Sequence, residues 1–582
     1  MAPHEPRYVT IAALLVGAVS LGACATLPYA GTVQKSDIEI AANQPLLGLN
    51  APGPVPNASP EEIVRGFIRA CAAGYSDDFT VARSFLASKA AVDWKPDAQV
   101  VIVDTDSGID ITTTSDAAVQ ANAKAVGSVD SSGKYSVANT TSEIQERFSL
   151  VKAADNQWRI ANLEDGVILS QSVFASIYAS APIFFLAANH GALIPDLRWY
   201  PRRRMASYLV NAILAGPPRS FRGAATSVFP PGTSLRGGTV EVFDGVANVN
   251  IDSTQPFTDP HTIALAYWQI GSTLRDVAGI SSVSLSLGNV PLPNTEPISD
   301  PSGVVNPVMI KDGNLVRLDG DKVEVLLSAS NLAGISMSHP AVSVDGKTIA
   351  FTDGARQKLY VWKQRSAQVL YSGLGLAAPV VDRLGWIWTV DSAQPNHILA
   401  YNDDGSGIQI ELPWHDSRIV TALAISPDGS RLAAIRSVDG KDQISLAIIL
   451  RNQYGLPETL VGTQELEIGT STVADLSWLQ GYTLAALTGS GEKTTVRIIP
   501  LFGPVSTLPG VKDAVALAGG RTENEVYLAT KNGELFSRSG RNWQHTLSGV
   551  QDPTYPGSSS WAVNLRILHV AHGESVANCV PR

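Results

Sequence analysis

From about residue 305 onward the chain repeats itself, and this restricts its fold more than any other feature. Residues 341–351 read AVSVDGKTIAF and residues 424–434 read AISPDGSRLAA. Weaker echoes lie at 381–390 (VDRLGWIWTV), 476–487 (LSWLQGYTLAAL) and 516–528. The turn glycines Gly346, Gly385, Gly429 and Gly481 stand roughly 40 to 50 residues apart, the period of a four-stranded propeller blade. In each unit a tight turn, where glycine reaches positive φ without strain, is followed by an apolar strand that packs between neighbouring blades. Adding the fragment 306–327 and a closing strand from the C-terminal end gives a β-propeller of about six blades over residues 305–575, followed by a tail at 576–582.

The rest of the 582 residues exceeds what one core can hold, so further domains precede the propeller. Order begins at Ser59-Pro60-Glu61-Glu62, where Ser59 caps a helix, Pro60 fits its first position and Glu62 completes a capping box. Ile63, Val64, Phe67, Ile68 and Cys71 then fall on one helical face. A second helix is expected over 78–88, then strands at 100–103, 119–126, 144–151 and 158–160. Helices followed by antiparallel strands make residues 58–178 an α+β domain of NTF2-like type. Residues 179–297 read as a small α/β domain: a strand at 183–187, a helix at 205–215 stopped by Gly216-Pro217-Pro218, a hairpin around Asp244-Gly245, a helix with Ile263 to Leu274, and a strand at 283–287. The expected fold is therefore multidomain and β-rich.

The N-terminus carries an address. Residues 9–21 form an apolar run after Arg7, too short to span a bilayer and typical of a secretory signal. Leu21-Gly22-Ala23-Cys24 resembles a bacterial lipobox, with cleavage between Ala23 and Cys24 and a diacylglycerol joined to the Cys24 thiol as a thioether, palmitate among the acyl chains. Ordinary cleavage after Ala25 is the alternative, because Ala23-Cys24-Ala25 also fits the small-x-small pattern. Residues 1–23 are then a lipoprotein signal peptide, and 24–57, rich in proline and glycine, a flexible tether. The mature chain would sit on the extracytoplasmic face of the cell membrane. Lipidation of Cys24 leaves Cys71 and Cys579 as the one possible disulfide, with a free buried Cys71 as the other reading.

Charged residues make up only 16% of the chain and the formal net charge is −10, which argues against nucleic acid or anionic lipid headgroups as main partners. Arg202-Arg203-Arg204 is an anion-binding candidate, read more simply as a solvated helix start. Residues 104–110 resemble a calcium loop but lack the glycine and the final acid of that template, so a hairpin turn is expected. Gly489-Ser490-Gly491-Glu492-Lys493-Thr494 lacks the glycine-lysine step and helix of a phosphate loop, and reads as a hairpin. His569 and His572, with Cys579, have poor spacing for zinc at a strand end. No G-x-S-x-G elbow and no defensible catalytic set is present, so no catalytic residues, metal or cofactor are assigned. Trp386, Trp388, Trp478 and Trp561 read as blade packing, with one or two free to anchor a partner at a rim.

In this order the motifs resemble the actinobacterial lipoprotein LpqB family. The residues that carry the likeness are Cys24, the GerM-type features Leu214-Ala215-Gly216-Pro217 and Phe229-Pro230-Pro231-Gly232-Thr233 with 271–274 before Val283, and the TolB-like blade motif Ser426-Pro427-Asp428-Gly429. The resemblance implies a non-enzymatic accessory protein of a two-component system. It would bind the ectodomain of a sensor histidine kinase of MtrB type and, through the regulator MtrA, affect envelope homeostasis and division. The alternative is an envelope glycan- or peptide-binding receptor, or a hydrolase, that uses the propeller mouth.

Overall fold

The computed structural model describes residues 51–138, 142–293, 298, 306–469 and 472–557. Cys24, Trp561, His569, His572 and Cys579 lie outside the described residues, as do the signal peptide, the tether up to residue 50 and the tail.

The first helix runs Pro60–Asp77 and its start is the expected capping box. Ser59 N–H donates to the Glu62 carboxylate at 2.7 Å, and Glu62 N–H donates to Ser59 Oγ at 3.3 Å. The helix buries Ile63, Val64, Phe67, Ala70 and Cys71 on one face. It stops because Asp78 (φ 54°) and Phe79 (φ 61°) are both left-handed. The single helix expected over 78–88 is for that reason two short ones, Thr80–Ser84 and Ser88–Asp93. Between them Ala87 is extended and bonds Ile160.

These helices lie on a sheet built around the long strand Ala118–Asp130, whose residues alternate between buried and mostly half-buried. Its order is Trp158–Asn162, Glu143–Lys152, Ala118–Asp130, Gln99–Val103, Val167–Ser170, the last pair parallel. Asp110–Ser115 pairs with the same side of the long strand as Gln99–Val103, end to end with it. Residues 104–109 are thus a link between collinear strands rather than a hairpin, with the Asp104 carboxylate accepting from Asp106 N–H and Ser107 Oγ.

The second domain holds two sheets. Tyr178–Ala187 pairs with Leu193–Pro201 and with Ala225–Thr226. In the other sheet Val246–Asp252 lies parallel to Ser282–Leu287, joined by the crossover helix Pro260–Leu274. The strand Leu193–Pro201 had no counterpart in the sequence reading. The hairpin at Asp244-Gly245 forms with both residues at positive φ.

The described residues from 308 to 557 form six four-stranded sheets, the blades of the propeller. The innermost strand of the first blade is Val550–Thr554, which pairs with Val308–Lys311 and so closes the ring with the far end of the chain. Gly346, Gly385 and Gly429 have φ of 71°, 83° and 76° at the inner hairpins. At the corresponding turn of the fifth blade Gln480, not Gly481, takes the left-handed position, with φ 40°. Gly481 is instead required by crowding, since a Cβ there would lie 2.6 Å from both Asp428 and Pro195.

The three domains are bolted to one another along the strand Leu193–Pro201. The Arg198 guanidinium donates to Ser132 Oγ at 2.8 Å and Tyr200 Oη donates to Ser132 O at 2.7 Å, both into the first domain. On the propeller side Arg431 donates to Pro195 O, and Arg383 donates to Gly191 O at 3.0 Å. These contacts use the hairpins between the first two strands of blades three and four, so one face of the propeller is occupied by the second domain.

Candidate functional site

The inner strands of the blades surround a channel of about 460 Å³. Register shifts interrupt their pairing at Ser338/Ala341, Val420/Ala422, Val473/Asp475 and Ala514/Ala516, and opposite 552–553. A bulge frees backbone N–H groups that need other acceptors. Side chains of the same or the preceding blade accept from N–H groups near these shifts. Asp475 accepts from Leu517 N–H at 2.8 Å and from Leu476 N–H at 2.9 Å, and Ser477 Oγ accepts from Gly519 N–H at 3.0 Å. Asp552 accepts from His339 N–H at 2.8 Å and from Ser338 Oγ at 3.3 Å.

His339 (φ 49°) and Asp552 (φ 46°) are left-handed, and each precedes a proline, Pro340 and Pro553. Sterics disfavour helical conformations before proline, and non-glycine residues pay for the left-handed region, so this wall of the channel is strained. His339 Nδ1 lies 2.8 Å from Ser338 Oγ and 3.3 Å from Thr352 Oγ1. Burial pushes the His339 imidazole below its ordinary pKa, so it is neutral at pH 7. Burial pushes the Asp475 carboxyl up to about 7, and the Asp552 charge adds to that rise. The channel therefore offers two acids and a neutral imidazole on a rigid wall. This can receive a hydrogen-bonding or cationic group, while the same acids lace one blade to the next.

One further constellation looks catalytic and is not arranged for it. His545 Nε2 lies 2.6 Å from Glu534 Oε2 and 3.3 Å from Ser548 Oγ, while Ser548 Oγ donates to the same Glu534 oxygen at 2.7 Å. A charge-relay set needs the acid on one imidazole nitrogen and the hydroxyl on the other. Here both face Nε2, so the set is a hydrogen-bonded cluster on an exposed blade edge. Among the described residues no group of three or more His, Cys, Asp or Glu side chains is placed to hold a metal ion.

The residues singled out in the sequence do not converge. Cys71 is 1% exposed in the core of the first domain, and burial raises its pKa. Its possible partner Cys579 lies outside the described residues. Trp388 is fully buried and donates to Asp382 Oδ2 at 2.8 Å, and Trp478 donates to Ala424 O at 3.2 Å, so both pack between blades; Trp386 is half-buried beside them. Residues 489–494 join two antiparallel strands, as expected of a hairpin. Arg202-Arg203-Arg204 is not simply a solvated helix start. Arg203 donates to Tyr75 O at 3.1 Å and to Ser76 O, and Arg202 donates to Ala175 O at 3.4 Å, across to the first domain.

Sequence reasoning missed the channel acids and Trp199. The X-Pro pairs His339-Pro340, Ala378-Pro379 and Asp552-Pro553, within or just before inner strands, were the available signal for the first.

Three family models match the chain in the order of these domains. Residues 53–175 match the family model for the LpqB lipoprotein N-terminal domain, 182–293 the model for the sporulation and spore germination (Germane) domain, and 313–556 that for the LpqB lipoprotein β-propeller. A protein named Lipoprotein LpqB from Cutibacterium acnes is 25% identical over 93% of this chain and 98% of its own length. Lipoprotein LpqB from Thermobifida fusca is 23% identical over 93% and 97%, and that from Mycobacterium ulcerans 24% over 93% and 97%. Among solved structures, TolB from Acinetobacter baumannii aligns at a TM-score of 0.33 and 18% identity, over 44% of this chain and 66% of that one. No described helix is long and apolar enough to cross a membrane.

Proposed function

The chain belongs to the LpqB lipoprotein family, and from that membership we propose a lipid-anchored, extracytoplasmic regulator that binds the ectodomain of a sensor histidine kinase. The kinase would be of MtrB type and the response regulator of MtrA type, with envelope homeostasis and division as the output. Cys24, cut after Ala23 and acylated, is the proposed anchor. Two or more acyl chains, at about 0.8 kcal/mol per buried CH₂, anchor such a chain stably on the membrane. A kinase in the same membrane is then met at high local concentration, so a modest interface suffices.

The observation that carries this reading is the fixed junction of the three domains. Buried and half-buried side chains tie them at Ser132, Pro195 and Gly191, so binding surfaces on different domains are held at set distances. That suits recognition of another protein. The proposed role is non-catalytic; among the described residues the Ser548, His545 and Glu534 cluster puts acid and hydroxyl on the same imidazole nitrogen, which does not suit acyl transfer.

The test is a pull-down of the kinase ectodomain by the full-length mature chain, with regulator phosphorylation followed in a deletion strain. Binding, and altered phosphorylation restored by the wild-type gene but not by Cys24→Ala, is the expected result. No binding and unchanged phosphorylation would overturn it. A second reading, a receptor for a small cationic or hydrogen-bonding ligand, draws on the strained wall at His339 and Asp552 in the channel. Binding that Asp552→Asn abolishes would favour it.

A further inference from the structure

Besides the channel the described residues form a cleft of about 720 Å³ between the first and second domains, and it takes in two arginines of the Arg202-Arg203-Arg204 run. Its size falls within the range of small-ligand pockets. We propose that this cleft binds a sugar that carries a carboxylate or phosphate group.

Charge is the first observation. Arg83, Lys95, Arg203 and Arg204 line the cleft against only Asp78 and Asp97, a local excess of cations in a chain of net charge −10. Two of these cations are held in place before any ligand arrives. Arg203 Nη1 is fixed by the carbonyls of Tyr75 and Ser76 at the end of the helix Pro60–Asp77, which leaves the rest of its fork of donors unspent in those contacts. Arg83 is fixed by the carbonyls of Ala91 and Trp94, with its guanidinium 5.3 Å from the Trp94 ring centroid. Preorganised guanidinium groups match the planar and tetrahedral oxygens of carboxylate and phosphate.

The floor is the second observation. Tyr75, Phe79, Trp94 and Tyr208 add aromatic surface to the same lining. Tyr208 stacks on Tyr200 with centroids 5.2 Å apart, and Tyr75 Oη meets Tyr178 Oη at 2.7 Å, so the rings are held still. An apolar floor with a few aimed polar groups is the usual make-up of a small-ligand pocket. The carboxylates of Asp78 and Asp97 add acceptors for hydroxyl donors, which a simple anion would not use and a sugar would.

Strain is the third. Asp78, Phe79 and Arg204, three non-glycine residues, all line the cleft and all sit at left-handed φ of 54°, 61° and 62°. Such strain persists where surroundings enforce it and gathers at ligand sites. Arg204 and Asp78 face each other at 3.6 Å, both about half exposed or more. An exposed pair of this kind is worth little, so an incoming anion displaces it easily.

The experiment uses the full mature chain and equilibrium dialysis or calorimetry with four probes: N-acetylmuramic acid, glucose 6-phosphate, neutral N-acetylglucosamine, and inorganic phosphate. A charged sugar is expected to bind at least about tenfold tighter than both the neutral sugar and inorganic phosphate. Preference for the carboxylate or the phosphate sugar identifies the source of the charge. Arg204→Glu, which leaves the Arg203 contacts intact, should weaken the charged sugar about tenfold or more; Lys95→Glu should act in the same direction with the fold undisturbed. Equal binding of neutral and charged sugars, inorganic phosphate binding as tightly as either sugar, or an unchanged affinity in folded Arg204→Glu, overturns the proposal.

Discussion

Trp199 Nε1 donates to the carbonyl oxygen of Phe502 at 2.7 Å, and with that bond one residue of the second domain reaches the propeller. The same indole packs against Tyr135 and Phe174 of the first domain, with ring centroids 5.6 and 5.4 Å away, and Trp199 N–H donates to Gly133 O at 2.7 Å. Trp199 therefore touches all three domains. Trp199→Ala should cost about 3 kcal/mol, the low end for a tryptophan lost from a packed site, and should speed proteolytic cutting at the domain junctions. Trp199→Phe keeps the ring and loses the hydrogen bond, so it should cost only about 1 kcal/mol. Equal losses in the two variants, read by urea unfolding, would show that packing plays no part.

A buried arginine makes the second junction. Arg431 donates to Asp428 at 3.2 Å and to Gly481 O at 2.8 Å, reaches Pro195 O, and lies 4.7 Å from the Phe221 ring centroid. Arg431→Met removes the cation and strands a buried carboxylate, at a cost of about 3–5 kcal/mol. Adding Asp428→Asn should recover part of that loss. A strictly additive double-mutant cycle would show that the two charges do not interact.

Asp475 makes stability depend on pH. Its folded pKa of about 7 lies above that of an unfolded aspartate, near 3.9. Between about pH 4 and 7 the folded chain holds a proton that the unfolded chain has released, so this site's contribution falls as pH rises through that window and is level above it. Asp475→Asn should flatten the slope of the urea midpoint against pH between 4 and 7. Parallel slopes for wild type and variant would refute the assignment.

Ring closure rests on one strand. A chain ended at Gly549 lacks Val550–Thr554 and leaves Val308–Lys311 unpaired on its inner side. It should lose on the order of 5 kcal/mol, from the buried apolar surface of that strand and its neighbours. It should also unfold with a shallower transition. A chain ended at Gly557, whose N–H still reaches Val342 O, should keep the full transition.

Cys71 should resist alkylation at pH 8 in the folded protein and react only after denaturation, because burial keeps it a thiol. A linked Cys71–Cys579 peptide in a peptide map of the same sample, run without reductant, would instead select the disulfide reading and overturn the free thiol. Rapid labelling of the native chain would contradict the burial of this side chain.

The parts that were legible in the sequence obey local rules. The capping box at Ser59 and Glu62, the turn at Asp244-Gly245 and the blade glycines at 346, 385 and 429 are set by neighbours in the chain. The parts that were not legible depend on distant partners. The strand Leu193–Pro201 contains two prolines and an Asp196–Arg198 pair, and looks like a polar loop until that pair is buried at 2.6 Å. The acid at 475 gives no signal of its own, because its partners are N–H groups freed by bulges in its own and the next blade. The arginine run looked solvated because the carbonyls that receive Arg203 belong to a helix 128 residues earlier.

Closure by the last strand also sets an order of events during synthesis. Val308 finds its inner neighbour only when Thr554 exists, so the first blade is the last to be finished. Until then it presents an unpaired strand edge, open to pairing with other chains. A chain released early cannot hide that edge, while a complete one hides it in a single long-range step, slow to form because its ends are far apart along the chain. The ring is thus a check that synthesis has passed Thr554, because no shorter chain can close it.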